Sequence, residues 1–140
     1  FNRYKGYEQA LLDAGLEPDP RLVVEGTLQQ QSGVLAVEML LGRGRAFSAI
    51  FSANDQMAFG ARLALYRRGI RVPEEVSLVG FDDEASAAFM IPPLTTFRQP
   101  AVEMGQAAAK AILKLINGES PEKKIFDAEL IIRESVARNR

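Results

Sequence analysis

Apolar residues recur at spacings of three and four along four stretches of this chain, and each stretch ends at a glycine or proline. Tyr4, Tyr7, Leu11 and Ala14 share one side of a helix predicted over residues 3–14. Gly15 stands where a helix stops in the left-handed region, and Pro18 and Pro20 prevent its resumption. Val34, Val37 and Leu41 mark a second helix, broken by Gly42 and Gly44. A third is predicted over residues 55–68. Asp55 at its start and Arg67 and Arg68 at its end suit the helix macrodipole, and Gly69 stops it. Pro100 opens a fourth that runs to Ile116, with Met104, Ala108, Ala111 and Leu115 along its buried side and Asn117-Gly118 as its end. Between the helices lie short apolar or β-branched runs. Residues 22–25, 49–53 and 76–80 read as strands, 95–98 as extended, and 125–134 as two short strand-like runs. Residues 81–93 read as loop with a short helical turn near Ala85.

The strand centres Val23, Ile50 and Ser77 fall 27 residues apart, with a helix in each gap. That βαβαβ rhythm predicts the α/β class, a three-layer arrangement of a parallel sheet flanked by helices, with right-handed crossovers. Polar residues that follow the strands then collect at the carboxyl edge of the sheet, where open α/β sheets bind ligands. The segments 26–28, 54–55 and 81–83 meet there, and the first helix begins at the same rim, which brings Asn2 and Arg3 to it. No strand precedes that first helix, so its apolar face lacks a partner within the chain. The chain is therefore expected to be part of something larger.

Composition narrows the chemistry. A chain of 140 residues suits one domain, and 47% hydrophobic residues suffice for a core. With 17 basic and 18 acidic residues the net charge is -1, which argues against this segment gripping nucleic acid by itself. The chain contains neither Cys nor His, which excludes Ser-His-Asp and Cys-His catalysis, disulfides, and zinc held by thiolate or imidazole. No apolar run approaches the roughly 18 residues of a membrane span, and no secretory signal is visible at the start.

Among the rim residues, Asn54 offers a donor and an acceptor, Arg3 a planar fork of donors, and Asp82 a pair of acceptors. Together they suit a polyol, whose hydroxyls both donate and accept. Plainer roles are open to each. Asn54 or Asp55 serves equally as a helix cap, Asp82 or Asp83 as a loop former, and Arg3 as a solvated charge. Phe51 and Phe81 read as core. The adjacent carboxylates of Asp82 and Asp83 also suit Mg²⁺ or phosphoryl chemistry, and Asp82 with Glu103 could form an acid/base pair. Neither GxxxxGK[ST] nor GxGxxG accompanies them, and Gly42-Arg43-Gly44 is a helix terminator by spacing. Arg67-Arg68 and Lys123-Lys124 read as solvated charges, while Phe59 and Met90 are apolar residues available to a subunit contact.

Five stretches resemble LacI/GalR-type transcriptional repressors, in order and over nearly the whole chain. Arg3-Tyr4-Lys5-Gly6-Tyr7 resembles the family's RxxGY helix, and Ser52-Ala53-Asn54-Asp55-Gln56-Met57-Ala58-Phe59-Gly60-Ala61 its ANDxMAxGA segment. Residues 71–83, RVPEEVSLVGFDD, resemble VPxDxSxxGFDD. Residues 92–100, PPLTTFRQP, followed by Glu103-Met104-Gly105, resemble PPLTTxxQP…xMG, and Leu130-Ile131-Ile132-Arg133-Glu134-Ser135 resembles a terminal LxxRxS. The resemblance implies a periplasmic-binding-protein-like (type I) sensor of two lobes with a sugar or glycoside in the cleft. Residues 1–98 and 119–140 would form the C-terminal lobe, and residues 99–118 would cross to the N-terminal lobe. By position, Arg3, Asn54, Asp82 and Gln99 would touch the ligand, with Leu28 where the family places a ligand-facing apolar or aromatic side chain. Phe59 and Met90 would lie in a homodimer interface. Operator DNA would be bound by a helix-turn-helix absent from this chain, in a cytoplasmic protein with no catalysis, cofactor, metal or membrane partner. The competing readings are a sugar receptor of a transport system and a metal- or phosphoryl-dependent enzyme using Asp82 and Asp83. Phosphorylated sugars, nucleosides and purines remain open as ligands.

Overall fold

The computed structural model describes residues 2–138. The chain order is helix α1 (Asn2–Asp13), a 3-10 turn (Pro20–Leu22), α2 (Gln30–Gly42), strand β1 (Ala49–Phe51), α3 (Asp55–Arg67), β2 (Ser77–Val79), a second 3-10 turn (Ala85–Ala88), β3 (Thr96–Arg98), α4 (Ala101–Ile116) and β4 (Glu129–Ile131). All four predicted helices are present with ends within a few residues of expectation. Gly15 takes the left-handed conformation its position demands, with φ at +72°.

The fold is α/β. β1 and β2 pair in parallel, Ala49 opposite Ser77 and Phe51 opposite Val79, with α3 as the crossover between them. A single parallel bridge from Val79 to Thr95 continues this row towards β3, which pairs antiparallel with β4, Thr96 opposite Ile131. Ser135 ties the row together. Its hydroxyl donates to the Leu78 carbonyl at 2.5 Å and accepts the Thr95 amide at 2.8 Å, while its own carbonyl accepts the Leu78 amide.

Two strand expectations need correction. Residues 22–25 form no strand. Pro20 starts a 3-10 turn whose first amide, on Arg21, is capped by Asp19 Oδ1 at 2.9 Å. Arg43 then donates to the carbonyls of Arg21 and Val23, at 2.9 and 2.8 Å, and so takes up acceptors that a ladder would use. Of the three strands expected from residues 22–25, 49–53 and 76–80, the last two form the parallel pair β1–β2, and the parallel bridge from Val79 to Thr95 extends that row on the far side of β2. The tail supplies one strand, β4, where two runs were expected.

The core lies between α2, α3 and the parallel pair. Val37, Ala58, Ala61, Ala64, Leu65, Val72, Val76, Leu78, Ala87 and Leu94 are buried together. α2 and α3 cross with their backbones almost touching. A Cβ on Gly33 would sit 2.1 Å from the Met57 carbonyl oxygen, and one on Gly60 would sit 1.9 Å from that of Gln30. The expected buried side of α4 is not covered. None of its residues is buried, and Met104 and Leu115 are exposed. Phe51, expected in the core, is 39% exposed. Among the described residues no helix is long and apolar enough to cross a membrane.

Candidate functional site

Arg3, near the start of α1, meets the loops that follow β1 and β2. Its guanidinium donates to the Ala53 carbonyl and lies 3.5 Å from Asp82 Oδ1. The same group sits 3.7 Å above the centre of the Phe81 ring. Phe81 in turn stacks on Phe97, with ring centres 5.7 Å apart and planes 26° apart. Phe81 is therefore a platform under Arg3, and the expectation of a simple core residue is corrected.

Gln99, just beyond β3, completes the group. Its Nε2 donates to Asp82 Oδ1 at 2.8 Å, and the Asp82 amide donates to the Phe97 carbonyl at 2.8 Å. The side chains of Arg3 and Asp82 remain about one third exposed, 36% and 31%. Three of the five residues expected at the ligand site thus converge on one rim, with donors and a carboxylate still open to solvent.

Asn54 and Leu28 join the rim differently. Asn54 is buried and forms the N-cap of α3. Its Oδ1 accepts the Met57 amide at 2.9 Å, and its Nδ2 donates to the Leu28 carbonyl at 3.0 Å. Both polar ends of the amide are therefore engaged within the chain. Leu28 holds a left-handed backbone, φ 63°, and its side chain is half exposed. Asn54 anchors this apolar residue at the rim.

Two carboxylates beside the site have structural partners that local sequence could not disclose. Asp55 is fully buried. Its Oδ1 accepts the Thr96 hydroxyl at 2.6 Å and its Oδ2 accepts the Glu84 amide at 2.8 Å. Burial pushes its carboxyl above the usual range, and the two hydrogen bonds only partly offset this. Gly80 makes room for it, since a Cβ there would fall 2.1 Å from Asp55 Oδ1. Asp83 is paired with Arg98 and Arg133, both at 2.6 Å. Burial raises its carboxyl, but the Arg133 and Arg98 contacts outweigh it and the net displacement is downward. The adjacent carboxylates of Asp82 and Asp83 thus face different partners, and among the described residues no group of three or more acidic side chains is placed to hold a metal ion.

Phe59 and Met90, expected at a subunit contact, pack partly against the core. With Ala85, Ser86 and Phe89 they line a surface cleft of about 370 Å³. Phe89 and Ile91 beside it are 85% and 81% exposed. Sequence reading missed these two because a loop has no hydrophobic period to reveal them.

Residues 2–136 match the periplasmic binding protein-like domain family. The chain is 42% identical over 137 residues to the HTH-type transcriptional regulator AscG of Escherichia coli (strain K12), covering 97% of this chain and 41% of that one. It is 40% identical over 135 residues to the HTH-type transcriptional regulator CelR of Thermobifida fusca, covering 95% and 40%. Among solved structures, a transcriptional regulator CelR–cellobiose complex superposes with a TM-score of 0.91 at 39% identity, over 95% of this chain and 41% of that one. The lac repressor dimer bound to operator and the anti-inducer ONPF superposes with a TM-score of 0.86 at 30% identity, over 97% and 47%. The chain spans about two fifths of the length of the curated relatives it matches.

Proposed function

Because this chain belongs to the periplasmic-binding-protein-like domain family, and resembles LacI-type transcriptional regulators from end to end, we propose that it is the effector-sensing part of such a regulator. The rim of Arg3, Asp82 and Gln99 takes a small sugar or glycoside, with Leu28 as its apolar wall. The observation that carries this reading is the convergence of a guanidinium, a carboxylate and an amide, from three separate segments, at one partly exposed edge. A fork of donors beside paired acceptors matches adjacent hydroxyls. Asn54 contributes by shaping the edge through Leu28.

Residues 99–118 cross to a second lobe in this reading. In support, no residue of α4 is buried here, and its Val102, Ile112, Leu113, Leu115 and Ile116 are all more than half exposed. The ligand bridges both lobes and favours one lobe angle, which requires a difference in affinity between two states, typically about 1–3 kcal/mol. A homodimer in contact through Phe59 and Met90 passes that angle to helix-turn-helix heads outside this chain, which bind operator DNA in the cytoplasm. The protein performs no catalysis in this account. Its matched relatives are named as transcriptional regulators, which favours regulation over a transport receptor.

A thermal-shift screen of the full-length protein tests the reading. Monosaccharides, glycosides and disaccharides are used, including the cellobiose named in the CelR complex. At least one sugar raises the melting temperature in a concentration-dependent way. If none does, the reading fails.

A further inference from the structure

We propose that Asp83 is a positioning residue for Asp82, an inference that rests on the sugar-sensing reading only for what Asp82 contacts. The two neighbours divide the work. Asp82 is one third exposed, whereas the Asp83 side chain is 6% exposed. Both Asp83 oxygens are engaged. Oδ2 accepts from Arg98 Nε at 2.7 Å and lies 2.6 Å from its Nη2, while Oδ1 accepts from Arg133 Nη2 at 2.6 Å.

The backbone supplies the reason such a clamp is needed. Asp82 and Asp83 have φ values of 114° and 55°, the left-handed region that L side chains avoid. Two successive residues persist there only where their surroundings over-determine them. Arg98 and Gln99 are consecutive, as are Asp82 and Asp83, and the two pairs cross: Gln99 meets Asp82 and Arg98 meets Asp83. The Asp82 amide is held in the same place by the Phe97 carbonyl. Arg133 anchors the other end. Its side chain is 18% exposed, its Nη1 donates to the Leu94 carbonyl at 2.8 Å, and its amide donates to Thr95 Oγ1 at 2.9 Å. Asp83 therefore joins the loop after β2 to the end of β3 and to the segment after β4. That junction fixes the direction in which Asp82 presents its carboxylate. Charge supports the same division. Two arginines surround Asp83, and Glu129 approaches Arg98 at 3.7 Å, so the cluster is balanced without drawing on Asp82.

The test uses the full-length protein and two variants. Asp83→Asn removes the charge that both arginines share. Arg98→Gln, at a half-exposed residue, cuts one arm only and serves where the first variant fails to fold. The first readout needs no ligand. Hydrogen exchange at the Asp82 amide accelerates at least about ten-fold in Asp83→Asn, and less in Arg98→Gln, while the α3 amides of Ala61 and Leu65 keep their protection. An unchanged Asp82 amide, or one that accelerates only in step with α3, overturns the proposal. The second readout is affinity for whichever sugar the wild type binds. Asp83→Asn weakens it about ten-fold in the wild-type background and less than about two-fold when Asp82→Asn is already present. An equal loss in both backgrounds means that Asp83 does not act through Asp82, and overturns the proposal. A wild type that binds no sugar overturns the sensing reading instead, and the exchange result still decides the role of Asp83.

Discussion

Replacing Asn54 by alanine removes two hydrogen bonds whose values can be worked out separately. The first is the N-cap of α3, in which Asn54 Oδ1 accepts the Met57 amide at 2.9 Å. Loss of such a cap to alanine typically costs about 1 kcal/mol, within a range of roughly 0.5–2. Here the upper part of the range applies, because Met57 is buried and water cannot reach its amide to replace the lost acceptor. The second bond runs from Nδ2 to the Leu28 carbonyl at 3.0 Å. Leu28 is half exposed, so water substitutes more readily, and the loss is about 0.5–1 kcal/mol. The sum for Asn54→Ala is about 2 kcal/mol. Asn54→Ser separates the two contributions. A serine hydroxyl keeps the cap acceptor but is too short to donate to Leu28 as well. It should therefore cost about 1 kcal/mol or less. Urea unfolding measures both, read as a shift in midpoint at constant m-value. If Asn54→Ala stays within about 0.5 kcal/mol of wild type, or if the serine is as damaging as the alanine, the cap is not what holds this corner.

Two further predictions concern packing and protonation. Gly33→Ala and Gly60→Ala each drive a methyl group into a backbone carbonyl, at 2.1 and 1.9 Å, where no side chain can move aside. Either should cost at least about 1–3 kcal/mol in the same urea assay, and a neutral result would refute the close approach of α2 and α3. Asp55 and Asp83 act oppositely with pH. The Asp55 carboxyl is raised above 3.8, so its stabilising contribution is full below that value and is lost as pH rises through the raised one. Asp83 is lowered, so its contribution is present above 3.8 and is lost as pH falls through the lowered value. Relative to wild type, Asp55→Asn should therefore gain stability as pH rises through the interval just above 3.8, as followed by thermal unfolding across a pH series. A difference that does not change with pH would contradict this.

Periodicity made the helices legible because their signals are local. Tyr4, Tyr7 and Leu11 repeat within α1, and Asp55 and Arg67 mark the ends of α3. It misjudged residues 22–25 because the side chain that takes the carbonyls of Arg21 and Val23, Arg43, lies some twenty residues downstream. It identified the apolar side of α4 but expected a cover that this chain does not supply. At the site, counting polar residues after strands and placing the start of the first helix brought Asp82 and Arg3 to one rim, and the family resemblance added Gln99. The same counting could not separate Asn54 as cap from Asn54 as ligand contact, since the amide suits both. Asp55 read as a helix cap and Asp83 as a loop former, but the groups that fix them were not legible. Their partners Thr96 and Arg133 are 41 and 50 positions away, and such pairings appear only once the chain has folded.

The most direct test of a sugar-binding rim is isothermal titration of the full-length protein and its Arg3→Ala and Asp82→Ala variants with a sugar that stabilises the wild type. In the proposed site each variant would lose a charge-assisted contact to ligand hydroxyls, which predicts affinity at least about ten-fold weaker. Wild-type affinity in both variants, with both proteins folded, would place the ligand elsewhere and contradict the account.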